Sequence, residues 1–270
     1  MKWSFILFLP ALVSATWALG TLALKRNITR AQVVLSLTLL LIAFAIVVLG
    51  VFFRGFVGRL FIYDFIFETV AMLCGPFLYI GICALTEPRG TTLRQRHSFI
   101  LPLLFIAGLV AGSFWLGPRR YDQMCYEIRE GLDAWHPGDT PWNFMYFWDH
   151  YLFPILLVLM DFILLLMVTR KVRHYQRRFN SYYAHGLNVP FIDSRQIVLL
   201  TWFFVPLAVA TVLFIDIRPY YYKYWLIGCS LLLSVLLFYV GRFIYKLDYD
   251  ARSLAEYVRN KYQIDSDSNS

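Results

Sequence analysis

Three acids within otherwise apolar stretches of this 270-residue chain are the first candidates for chemistry: Asp64 and Glu68 between Leu60 and Leu85, and Asp161 between Met145 and Thr169. A carboxylate facing hydrocarbon is costly, so each must turn toward a bundle interior or water, where acids hold ions, protons or ligands. Asp64 and Glu68 stand four residues apart and share one helix face, as metal ligands, a proton relay or paired hydrogen-bond acceptors require. A plainer pairing is equally open: Asp64, near the outer surface, neutralised by Arg59 or Arg54, with Glu68 protonated or hydrogen-bonded. Asp161 belongs nearer the cytoplasmic end and is not expected to meet Asp64 at one site.

No other residue set assembles a reaction centre. The five histidines, His97, His136, His150, His174 and His185, include no i, i+4 pair with a third ligand nearby, so no metal site is expected from them. Neither H-E-x-x-H nor G-x-S-x-G occurs, and the chain reads as a non-enzyme without a cofactor. Asp149 and His150 read as a hydrogen-bonded surface pair. The stretch Gly117 to Asn143 reads as a lid. Its Arg119 and Arg120, with Trp148, His150, Arg218 and Tyr221 close to the same surface, offer cations and aromatic faces to an unidentified small ligand. An aromatic belt at the headgroups explains Trp148 and the tyrosines as well. Cys74, Cys83 and Cys229 fall within apolar stretches and only Cys125 falls in the outer loop, so buried free thiols are expected, not a disulfide framework.

What must position these residues is a set of seven apolar stretches, about 3–24, 31–53, 60–85, 97–116, 145–169, 196–215 and 224–245. Each matches the roughly 20 helical residues that cross a hydrocarbon core. The chain is 59% hydrophobic and 16% charged, with a mean hydropathy of +0.58. Runs such as Val33 to Val51 do not alternate, which excludes barrel strands, and helices satisfy their own backbone in lipid. The fold class is therefore an all-α polytopic bundle: a transmembrane domain over 1–245, then a short cytoplasmic helix and polar tail over 246–270. Eight lysines and arginines fall on one side of the seven stretches and seventeen on the other. The positive-inside rule puts the richer side in the cytoplasm, the N-terminus outside and the C-terminus inside. The net charge of +8 then belongs to the lipid surface, and no direct nucleic-acid binding is expected. The first stretch reads as a retained span, since Met1-Lys2-Trp3 is a thin positive region and the apolar run is long for a signal peptide.

Prolines 10, 76, 154 and 206 fall inside these stretches, where each removes a backbone bond and bends or packs its helix. Beyond the last stretch, Leu247, Ala251, Leu254 and Val258 follow one another at four, three and four residues. That short a/d seam suits pairing of two copies or relay to a partner, and an amphipathic helix lying on the membrane fits the same spacing.

The segments Cys74-Gly75-Pro76-Phe77-Leu78-Tyr79-Ile80, Ala84-Leu85-Thr86 and Arg96-His97-Ser98-Phe99-Ile100-Leu101-Pro102-Leu103-Leu104 resemble a "GPLLYLYxxSL … HFIPFLL" signature. That signature marks bacterial membrane proteins in which about seven helices precede a cytoplasmic AraC-type helix-turn-helix domain. The basic run Arg170 to Arg178, with Tyr182 and Tyr183, is similar to the inner segment of that family. The resemblance implies a sensor or signal-input domain in the bacterial inner membrane that passes an envelope or membrane signal to transcription. In this chain about 25 residues follow the last span, and the resemblance leaves two expectations open: a separate cytoplasmic helix-turn-helix output partner, or a regulator cut short before its output domain. Relay would run through Pro76 and the seam at Leu247, Ala251, Leu254 and Val258. The alternative expectation is a small transporter or channel that uses Asp64 and Glu68.

Overall fold

A computed structural model describes residues 6, 8–54, 60–86, 97–129, 132, 135–184, 202 and 222–247. The expected stretch 196–215 lies outside them apart from Trp202, as do Arg59, Arg218, Tyr221, Ala251, Leu254 and Val258 and the side chain of Arg54. Among the described residues the regular structure is helical throughout, with no strand. The helices are α1 (Leu9–Leu24), α2 (Arg30–Arg54), α3 (Leu60–Thr86), α4 (Ile100–Leu116, entered through a 3-10 turn at His97–Phe99), α5 (Pro118–Arg129), α6 (Thr140–Phe147), α7 (Phe153–Ala184) and α8 (Tyr222–Lys246). A single π turn, Trp148–Leu152, joins α6 to α7.

Four of the described stretches are long and apolar enough to cross a membrane: Arg30–Phe52, Leu60–Thr86, His97–Leu116 and Thr140–Tyr175. At about 1.5 Å per residue the 27 residues of α3 extend roughly 40 Å, more than a bilayer core. The chain is thus a helical membrane protein. Large apolar side chains remain on the outside, Phe114 at 83% exposure and Ile155 at 61% among them, as a lipid-facing surface requires.

Helix α2 packs along α3, α1 packs on α2 and α8, and α3 also meets α7. In lipid, helices gain little from apolar burial alone and associate through close packing, which small residues permit. Gly81 lies against Leu35, Gly50 against Phe8, and Gly241 against Trp17. Between α1 and α2 the buried Ser14 hydroxyl donates to the carbonyl of Leu39 at 2.7 Å.

The ends of α1 and α8 meet. Thr29 and Gln32 form a reciprocal capping box at the start of α2: the Gln32 amide N–H donates to Thr29 Oγ1 at 3.3 Å, and the Thr29 N–H donates to Gln32 Oε1 at 3.0 Å. The other arm of the fully buried Gln32 side chain, Nε2, donates to the carbonyl of Ile244 at 2.9 Å. Lys25 Nζ donates to the carbonyls of Tyr245, at 3.0 Å, and Leu247. A cation and an amide thus satisfy the free carbonyls at the end of α8, the terminus where the helix dipole favours positive charge. Leu247, expected in a relay seam, is buried against this junction.

The prolines act differently from one another. Pro10 falls in the first turn of α1, where a missing N–H costs nothing, so it does not kink the helix. Pro154 directly follows the π turn inside the continuous helical run Thr140–Tyr175, and Pro206 lies outside the described residues. Pro76 stands within the interior of α3.

Candidate functional site

The two acids of α3 meet a third that the sequence reading placed at the surface. One carboxylate oxygen from each of Asp64, Glu68 and Asp149 lies within 4.8 Å of the other two. Glu68 is 1% exposed and Asp149 9%. The π turn is what delivers Asp149. Its extra residue per turn widens the helix between α6 and α7, a local device common at functional sites. Around it, Trp148 stacks on Phe105 at 5.6 Å with the planes 22° apart, and Gly108 of α4 leaves the space into which the indole fits. His150 stacks on Tyr146 at 5.1 Å. Trp148 thus packs in part against the core, and Asp149 is buried and not part of a surface pair.

Helix α5 roofs the cluster. Asp122 accepts a hydrogen bond from the backbone N–H of Phe61 at 3.1 Å, so the roof caps the first turn of α3 with a carboxylate where the helix dipole favours one. One residue earlier, the Tyr121 hydroxyl donates to Asp64 Oδ2 at 3.0 Å, and the Cys125 thiol donates more weakly to the same oxygen at 3.8 Å. Both side chains are buried. Burial, and then the Asp64 carboxylate, push the Tyr121 phenol and the Cys125 thiol well above their ordinary ranges, which keeps both as donors. Asp64 is thus satisfied by the roof, while neither oxygen of Glu68 receives a hydrogen bond.

The remainder of the expected lid is tied to itself. Arg120 pairs with Asp139 and lies over the Trp142 ring at 5.8 Å. His136 contacts Glu127 at 3.0 Å and exchanges backbone hydrogen bonds with the Asn143 side chain at 3.0 and 2.7 Å. Asp139 accepts from the Trp142 N–H at 3.3 Å and starts α6. Arg119 is exposed. The carboxylate centre that forms beneath this loop includes neither Arg119 nor Arg120.

Asp161 stays apart from the cluster, as its position on α7 implies. Its Oδ1 lies where a Cβ on Gly75 would approach to 2.8 Å, beside Pro76 and seven residues along α3 from Glu68, or roughly 10 Å. Cys74, Cys83 and Cys125 are all free and buried. Asp149, Tyr121 and Cys125 were not among the residues expected at the site. The available signal for Asp149 was an acid at the start of an apolar stretch, a fourth intramembrane carboxylate with the same cost as the other three.

No family model, no curated protein and no solved structure matches this chain. The site has to be interpreted from its own chemistry.

Proposed function

We propose that this chain is a membrane-embedded sensor: the Asp64–Glu68–Asp149 centre receives an envelope signal, and a change in helix packing carries it to a cytoplasmic output partner that regulates transcription. The observation that supports this most is a buried three-carboxylate centre without a described lysine or arginine paired to it, because its energy depends on what enters. A route also exists. The centre sits on α3, α3 packs along α2, and Gln32 and Lys25 at the α1–α2 turn grip the end of α8. A ligand shifts such a bundle only by binding one arrangement better than another.

In this proposal the chain crosses the bacterial inner membrane seven times, with the N-terminus outside, the carboxylate centre toward the outer face, and 246–270 in the cytoplasm. A pair of copies through Leu247, Ala251, Leu254 and Val258, or a helix-turn-helix partner as in the AraC-type membrane regulators, would receive the movement. Spin labels at Arg173→Cys on α7 and Lys246→Cys on α8, in the full chain in nanodiscs, test the coupling. Neutralising the centre with Glu68→Gln and Asp149→Asn imitates charge compensation by a ligand and should shift the label-to-label distance distribution. An unchanged distribution would sink the sensor proposal.

A second reading, a small transporter or channel, draws on Asp161 against Gly75, a further acid displaced along the same two helices. Under it, Asp64→Asn with Glu68→Gln abolishes cation or proton flux in proteoliposomes; a wild-type chain without flux excludes it.

A further inference from the structure

The centre supplies oxygen donors only, and it supplies them around a point. A triangle with no side above 4.8 Å has a point at most about 2.8 Å from each corner, and Ca2+–oxygen bonds run about 2.3–2.6 Å, so a contraction of a few tenths of an ångström closes three ligands on one ion. Glu68 gives an independent pointer. Its side chain is 1% exposed, and neither of its oxygens has a hydrogen-bond donor. Its carboxylate neighbours can supply one only by carrying a proton. Leaving a buried carboxylate without donors is among the more costly arrangements in a protein, and a cation relieves it directly.

Neighbouring side chains hold the carboxylates in place. Tyr121 and Cys125 both donate to Oδ2 of Asp64, fixing the orientation of that carboxylate while leaving Oδ1 available. Asp149 is held by the π turn and the Trp148–Phe105 stack. Three carboxylates carry a charge of −3 when ionised, which a divalent ion reduces to −1, and an all-oxygen set favours hard ions over Zn2+ or Cu+. Asp64 is the least buried of the three.

We propose that Asp64, Glu68 and Asp149 bind one hard divalent cation of the Ca2+/Mn2+ class. The proposal rests on the sensor function only for its physiological meaning, since it names the signal that the centre receives; the binding event stands without it.

The test uses the full chain in nanodiscs and Mn2+ as the probe, with free ion read from its paramagnetic resonance signal. Expected is one saturable site per chain, displaced by Ca2+, and lost in Glu68→Gln and in Asp149→Asn. Tyr121→Phe, which removes only the outer hydrogen bond, should keep the site with about tenfold weaker binding. Circular dichroism identifies any variant that fails to fold, and Glu68→Asp then replaces it, with weakened binding expected. No saturable site in the wild-type chain, or a wild-type isotherm kept by both neutral variants, overturns the cation assignment. Saturable binding with an unchanged Arg173–Lys246 label distance keeps the ion and removes the sensor.

Discussion

Replacing Glu68 by glutamine should make the metal-free protein more stable, against the usual outcome of altering a buried side chain. The magnitude follows from the spacing. Two ionised carboxylates 4.8 Å apart repel by about 3.5 kcal/mol at an effective dielectric constant of 20, and Glu68 has two such neighbours. The charges cannot all persist uncompensated, because that repulsion approaches the entire stability of a typical domain, about 5–15 kcal/mol. Proton uptake or an ion absorbs part of it. Neutralising Glu68 removes the share of that repulsion that a proton or ion has not already absorbed, so a gain of about 1–4 kcal/mol is expected here. The assay is reversible unfolding of the full chain in detergent with a chelator present, then repeated with Ca2+. Wild type should gain stability on adding Ca2+, since an ion that binds only the folded state stabilises it by mass action. Glu68→Gln should start higher and gain nothing. A loss of stability in Glu68→Gln with the chelator present would refute the reasoning, because it would mean that Glu68 contributes favourable contacts as an acid.

Other consequences concern the parts that hold the centre. Gly108→Ala places a methyl group within the Trp148 ring; overpacking of this kind costs about 1–3 kcal/mol, and because Asp149 is the next residue, Mn2+ binding should weaken with it, as a parallel melt and isotherm would show. Gln32→Ala removes a buried hydrogen bond to the Ile244 carbonyl and should cost about 1–3 kcal/mol, while uncoupling the Arg173–Lys246 label distance from the state of the centre; a coupling that survives the variant would move the relay elsewhere. Cys125 is 1% exposed with a thiol pushed well above its ordinary range by burial and then by Asp64; alkylation at neutral pH should therefore be slow until the chain unfolds, and fast labelling in folded protein, located by mass spectrometry, would contradict the roof described for α5.

Local chemistry that repeats along the chain was legible without coordinates. The apolar runs are long because a helix in lipid must span it, and four of the expected stretches reappear as helices of sufficient length, at Arg30–Phe52, Leu60–Thr86, His97–Leu116 and Thr140–Tyr175. The shared face of Asp64 and Glu68 follows from four-residue spacing alone, and the free buried state of Cys74 and Cys83 follows from their apolar setting. The capping box at Thr29-Arg30-Ala31-Gln32 and its second use as a grip on α8 came with the structure.

Only the tertiary structure decided which acids meet. Asp149 lies 81 residues beyond Glu68 in the chain, and no periodicity relates positions on different helices. Its place depends on one extra residue in a π turn, on the room left by Gly108, and on the anchoring of α5 through Asp122 to the first turn of α3. Those contacts bury Asp149, which the sequence places in a surface pair, beside the two acids of α3 and set α5 over all three. Composition and spacing determine that a chain must be helical in a membrane, because backbone satisfaction and hydrocarbon thickness act on each segment by itself. The charge of a site is different: it is a property of side chains brought together across helices, and only packing brings them together.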